Sequence, residues 1–105
     1  MQGKRVLWDE RVRLVPKGFN WVDHRLVREG HIRRCDPDSL ALYLLLISVS
    51  DVDGLSYYSD KSICRLTQLS EARLCSARQK LIMADLLAYE APLYQVLSIP
   101  ERRLA

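Results

Sequence analysis

Leu55-Ser56-Tyr57-Tyr58-Ser59-Asp60-Lys61-Ser62-Ile63-Cys64-Arg65-Leu66-Thr67-Gln68-Leu69-Ser70-Glu71-Ala72-Arg73-Leu74, followed as far as Leu97, decides the fold. Leu55–Tyr58 is short and aromatic, as a strand is. Ser59 and Ser70 each stand where a hydroxyl caps a helix by accepting a hydrogen bond from a free first-turn amide. The stretch therefore predicts a helix over Ser59–Leu66, a link Thr67-Gln68-Leu69, and a longer helix over Ser70–Ala84. Asp85–Tyr89 and Leu93–Leu97 then read as two strands around Glu90-Ala91-Pro92, a small hairpin to which Leu55–Tyr58 adds a third strand.

Upstream, Cys35-Asp36-Pro37-Asp38-Ser39 is a helix start. Asp36 caps, and Pro37 suits the first helical position, where no N–H is needed. The helix that follows is apolar all round, with Leu40, Ala41, Leu42, Leu44, Leu45, Leu46, Ile47 and Val49. Such a helix is expected to be covered on most sides, as the central pillar of the domain. Asp51-Val52-Asp53-Gly54 ends it in a turn. Before it, Asn20 reads as the cap of a short helix, Trp21 to Glu29, stopped by Gly30. Arg11-Val12-Arg13-Leu14 alternates as a half-exposed strand would. The expected organisation is an N-terminal arm, 1–20, and one mainly helical domain with a small β-hairpin, 21–105.

Composition narrows the functions. The 105 residues suit a single domain, and 49% hydrophobic with 28% charged residues is an ordinary globular balance. The longest apolar run, Leu40–Val49, is half of what a membrane span needs, roughly 20 residues. No signal-peptide pattern is visible, and Cys35, Cys64 and Cys75 show no CxxC spacing, so the expected setting is reducing and cytoplasmic. Cys64 and Cys75 read as small core residues. The net charge of +3 is mild but segregated. Residues 1–35 hold nine Lys/Arg against four Asp/Glu, residues 36–60 hold five Asp and no base, and residues 61–105 hold seven Lys/Arg against four Asp/Glu. A basic face on a nearly neutral body suits phosphate binding, and a solvated surface equally.

At about 100° per residue, Leu74, Ala77 and Leu81 share one face of the longer helix, with Ile82 at its edge, expected to pack on the central helix, Ile63 and Leu66. Ala72, Ser76, Gln79 and Met83 fall opposite, flanked by Arg73 and Lys80. A helix entering the DNA major groove needs small residues so that its backbone comes close. It also needs side chains such as Arg, which pairs with guanine, and Gln, which pairs with adenine. The candidate base contacts are Ala72, Arg73, Ser76 and Gln79; the candidate phosphate contacts are Lys61, Arg65, Ser70 and Lys80. Glu71 either reads a cytosine amine or pairs with Arg78. Any amphipathic surface helix has a polar side, so the assignment leans on its neighbours: a capped helix before, a three-residue link, and a hairpin after.

With those residues in view, Leu40 to Leu97 resembles the winged helix-turn-helix domains of bacterial, phage and mobile-element proteins. The resemblance rests on a helix like Leu40–Ser50, a Gly-containing turn, and the segment Tyr57-Tyr58-Ser59-Asp60-Lys61-Ser62-Ile63. It continues through the link Leu66-Thr67-Gln68-Leu69-Ser70 and the helix end Arg78-Gln79-Lys80-Leu81-Ile82-Met83-Ala84-Asp85-Leu86-Leu87. It implies sequence-specific double-stranded DNA binding, in transcription regulation or as a replication or mobile-element accessory, often as a homodimer. One departure stands out: Glu90-Ala91-Pro92, the wing tip, has no Lys or Arg. The alternative is a winged-helix protein-interaction module, with Trp21, the acidic segment and the uncharged wing as its working surface.

Other chemistries find less. His24, His31 and Cys35 lack the tight pairing of zinc ligands, so no metal is expected. No nucleophile elbow or phosphate-cradling Gly loop occurs, so neither an enzyme nor a cofactor is expected. Trp8, Phe19 and Trp21 are either cover for the end of the central helix or a protein interface, the natural place for a dimer contact.

Overall fold

The computed structural model describes residues 3–100. It is an α+β domain of four α-helices and one three-stranded antiparallel sheet: α1 Arg25–Arg28, α2 Pro37–Val49, β1 Leu55–Tyr57, α3 Asp60–Thr67, α4 Glu71–Met83, β2 Leu87–Glu90 and β3 Leu93–Val96. Short 3-10 turns lie at Asp9–Arg11 and His31–Arg34.

The helix ends follow the capping chemistry of the sequence. Ser39 N–H donates to Asp36 Oδ1 at 2.8 Å, with Pro37 in the first turn of α2. Ser62 N–H donates to Ser59 Oγ at 3.2 Å, and Arg73 N–H to Ser70 Oγ at 3.2 Å. The link between α3 and α4 is made by Gln68 in the left-handed region, φ 63°, whose N–H donates to Cys64 O. Leu69 is then turned into the core.

β3 is the middle strand, in the order β1–β3–β2. Ser56 faces Tyr94 on one side, and Tyr89 faces Tyr94 on the other. Gly54 fixes how α2 reaches the sheet. Its φ is +83°, its carbonyl accepts from Val96 N–H, and a Cβ there would stand 2.6 Å from Val96 O. Only glycine fits. The core gathers Leu42, Leu46, Ile63, Leu74, Leu81, Leu86, Leu87 and Tyr94, all essentially inaccessible. Ser39 and Ala77 are small and buried where α2 crosses α4, and Ser39 Oγ donates to Ala77 O at 3.5 Å. Small side chains at the crossing let the two backbones come close.

Several expectations are corrected. The Trp21–Glu29 helix shrinks to one turn. Asp23 Oδ1 accepts from Arg25 N–H at 2.9 Å, so the helical turn starts only after it, and Gly30 at φ 77° ends it as expected. Asn20 caps nothing there. Its Nδ2 donates to Ser48 O and Ser50 O, both at 3.1 Å, satisfying orphan carbonyls at the far end of α2. No strand forms over Arg11–Leu14, and every described residue from Gly3 to Val22 is exposed. Trp8 and Phe19 are therefore largely open to solvent, while Trp21, also exposed, lines a cleft with Tyr43 and Ile47 at the end of the central helix. That helix is not enclosed all round either, since Leu44 and Ser48 face solvent. Leu66 is exposed rather than packed under α4, because the buried side of α3 is centred on Ile63.

Among the described residues no helix is long and apolar enough to cross a membrane.

Candidate nucleic-acid interface

The rotation of α4 is the one that helical periodicity predicts. Leu74, Ala77 and Leu81 are buried, while Ala72, Ser76, Gln79 and Met83 are exposed. Cys75 joins the exposed side instead of the core, and Cys64 is half-buried. Burial pushes the Cys64 thiol up from its ordinary value. The outward surface of α4 thus begins with a small-residue patch, Ala72, Cys75 and Ser76, and continues to Gln79. Ser70, one of the candidate phosphate contacts, is exposed and spends its Oγ on the helix cap.

The cations of α4 are not free. Arg73 Nε donates to Asp38 Oδ2 at 2.8 Å and Nη2 to Asp38 Oδ1 at 2.6 Å, a bidentate fork. Lys80 Nζ donates to Asp36 Oδ2. Arg78 Nη1 donates to Asp60 Oδ1 at 2.9 Å and to Tyr94 Oη at 2.8 Å, with its guanidinium over the Tyr89 ring. The Glu71–Arg78 pairing is thereby replaced. Charge segregation along the sequence resolves in space: three acids of residues 36–60 are the counter-ions of the three cations of α4. Arg73 and Lys80 thus have their charges balanced by Asp38 and Asp36, although both side chains remain exposed.

These pairs make stability depend on pH. The Lys80 ammonium and the Ser39 amide hold the Asp36 carboxyl well below the usual carboxylate range, and Arg73 lowers that of Asp38. In the unfolded chain both revert to about 4. Their contribution is therefore fully present above about pH 5, begins to fall as pH approaches the unfolded value, and is lost as pH falls through the folded values. The melting temperature is expected to drop between about pH 5 and pH 2, and to drop less in Asp38→Asn. Thermal melts across that range check this. An equal drop in both proteins would mean the Asp38 pair contributes nothing to the acid limb.

Lys61 and Arg65 lie one turn apart on the exposed side of α3, and among the described residues neither has an ion-pair partner. A third free cation was not singled out from sequence. The 3-10 turn His31–Arg34 carries Arg34 to the edge of α4, where it lines a shallow groove with Gln79, Lys80, Met83 and Ala84. Its only sequence signal is membership in the basic pair Arg33-Arg34. Arg34 therefore joins Lys80 at the border of α4.

The β2–β3 turn, Glu90-Ala91-Pro92, carries no cation and is exposed. His31 is buried, with Nε2 3.4 Å from Glu29 Oε1, while His24 is exposed. Among the described residues no three His, Cys, Asp or Glu side chains come together as metal ligands would. No protein-family model, curated protein or solved structure matches the chain.

Proposed function

We propose that residues 36–97 form a winged helix-turn-helix that binds double-stranded DNA and reads its sequence through α4, as a transcriptional regulator or an accessory protein of a mobile element. Two arrangements support the fold reading. The order is helix, strand, helix, helix, strand, strand, and the first strand returns to pair with the last. The observation that carries the functional reading is the outward face of α4, small at Ala72 and Ser76 and hydrogen-bonding at Ser76 and Gln79. Arg34 lies at the edge of α4 with Gln79, and α3, which packs against α4, carries the exposed cations Lys61 and Arg65. Ser76 and Gln79 contact base edges, with Gln79 suited to adenine, while Lys61, Arg65 and Arg34 contact phosphates. Ser70 presents the N-terminus of α4 to a further phosphate. Arg73 joins the base contacts once it leaves Asp38, and Lys80 joins the phosphate contacts once it leaves Asp36. No catalytic residue, metal or cofactor enters this reading.

The clamp on Arg73 supplies the test. Asp38→Asn releases the guanidinium and removes a negative charge beside the DNA, so it is expected to tighten binding several-fold. Arg73→Ala is expected to weaken binding to the preferred site roughly 5- to 100-fold and to relax preference at one base pair. Selection of duplexes from a random pool, followed by titration of the parent and both variants, measures this. If neither substitution changes affinity or preference, α4 is not the reading element.

Two features favour a second reading, a protein-interaction module: the three neutralised cations of α4 and the uncharged wing tip. That reading predicts no DNA affinity in Asp38→Asn.

A further inference from the structure

A cleft of about 220 Å³ opens on the molecule near the base of the N-terminal arm. Its walls are Asn20-Trp21, the C-terminal end of α2, the turn Asp51–Gly54, and the segment after β3 as far as Ile99. Its floor is apolar, since Tyr43, Ile47 and Ile99 are buried. Its rim is acidic: Asp51 and Asp53 are exposed, and among the described residues neither pairs with a cation. A third carboxylate, Asp23, is already held by Arg25 at 2.8 Å. Asn20 ties the arm to the last carbonyls of α2, so this wall is fixed by hydrogen bonds. A cavity of about 150 Å³ holds benzene. This one is therefore large enough for a bicyclic aromatic side chain, and its rim selects one flanked by positive charge.

The arm carries such a side chain. Trp8 is 68% exposed and is followed directly by Asp9 and Glu10, but residues 4–13 hold Lys4, Arg5, Arg11 and Arg13 against those two acids, a balance of +2, and the turn that ties Arg11 N–H to Trp8 O at 3.1 Å keeps Arg11 close to Trp8. All are exposed. The arm stands away from the body: the radius of gyration is 16.0 Å, against about 13 Å for a compact chain of this length. Leu7 and Leu14 on this arm are more than four-fifths exposed. An apolar, basic arm projecting from beside an apolar, acidic cleft is self-complementary between two molecules. Arm into cleft and cleft around arm close a two-fold pair without leaving an open end.

We propose that the cleft receives the indole of the partner's Trp8, with the partner's Arg5 and Arg11 beside Asp51 and Asp53, so that two copies of the chain form an arm-exchanged dimer. This does not depend on the DNA reading.

Sedimentation equilibrium of the full chain over a concentration series tests it. The parent is expected to dimerise. Trp8→Ala is expected to raise the dimer Kd at least tenfold, and Asp53→Lys severalfold, both with unchanged melts at a concentration where the parent is monomeric. In Trp21→Phe, Trp8 is the remaining tryptophan, and its emission is expected to shift to the blue as concentration rises. A parent that stays monomeric overturns the proposal, as does a Trp8→Ala protein that dimerises like the parent. Trp8 emission that is blue at every concentration also overturns it, because the arm would then fill its own cleft.

Discussion

Leu74→Asp is expected to cost the protein a large part of its stability. Leu74 is wholly inaccessible and lies in the core cluster with Leu42, Leu46 and Leu81, on the side of α4 that faces α2. A carboxylate placed there has no cation to pair with, because Arg73, Arg78 and Lys80 are already committed to Asp38, Asp60 and Asp36. It must either stay charged in an apolar site or take up a proton, and in both cases the packing of a leucine is lost. The cost is about 3 kcal/mol or more, which in a domain of this size lowers the melting temperature by more than about 12 °C. Ala72→Asp, two residues earlier, serves as the control. It sits in the first turn of α4 and faces solvent, where a negative charge suits the helix dipole, so the melt should move by less than about 0.5 kcal/mol. Thermal melts of the two variants decide the matter. Equal melting temperatures would mean that α4 is rotated.

The second large effect is on DNA. Replacing Ser76 and Gln79 together by Glu is expected to lower affinity about 100-fold or more, by removing two base-edge contacts and placing two carboxylates against the groove. Both positions are exposed and outside the core, so the melt should stay near that of the parent. Gel-shift titration on a selected duplex reads the affinity. Binding within a factor of about three of the parent would exclude this face of α4 from the groove.

How much of this was legible in the sequence divides along a physical line. Local chemistry was legible. Ser59, Ser70 and the Asp36-Pro37 pair started their helices where capping demands, and the 3.6-residue period placed Leu74, Ala77 and Leu81 inward. The hairpin and its third strand followed from short leucine- and tyrosine-bearing runs between turn residues. Non-local pairing was not legible. Asp38 and Arg73 are 35 residues apart and Asp36 and Lys80 are 44 apart, and nothing in the sequence says which acid meets which cation. The same holds for Asn20, whose partners on α2 are 28 and 30 residues away. Leu66 misled because a leucine at a helix end reads as core, and only the burial of Ile63 and Leu69 on either side of it settles its direction. Arg34 escaped notice because a 3-10 turn, rather than a helix with a readable face, brings it to α4. The candidate site therefore keeps its helix and its exposed face, but the unpaired cations proposed for it become Lys61, Arg65 and Arg34, since Arg73 and Lys80 are paired with Asp38 and Asp36.

The central claim is that α4 and its bordering cations bind duplex DNA. The most direct measurement is a titration of the full chain against a random-sequence duplex at several salt concentrations. Three phosphate contacts, from Lys61, Arg65 and Arg34, predict that log Kobs falls against log salt with a slope of about −3. The slope should shrink in magnitude by about 1 in Lys61→Ala. A parent protein that binds no duplex at the lowest salt, or binds it with no salt dependence, would contradict the account.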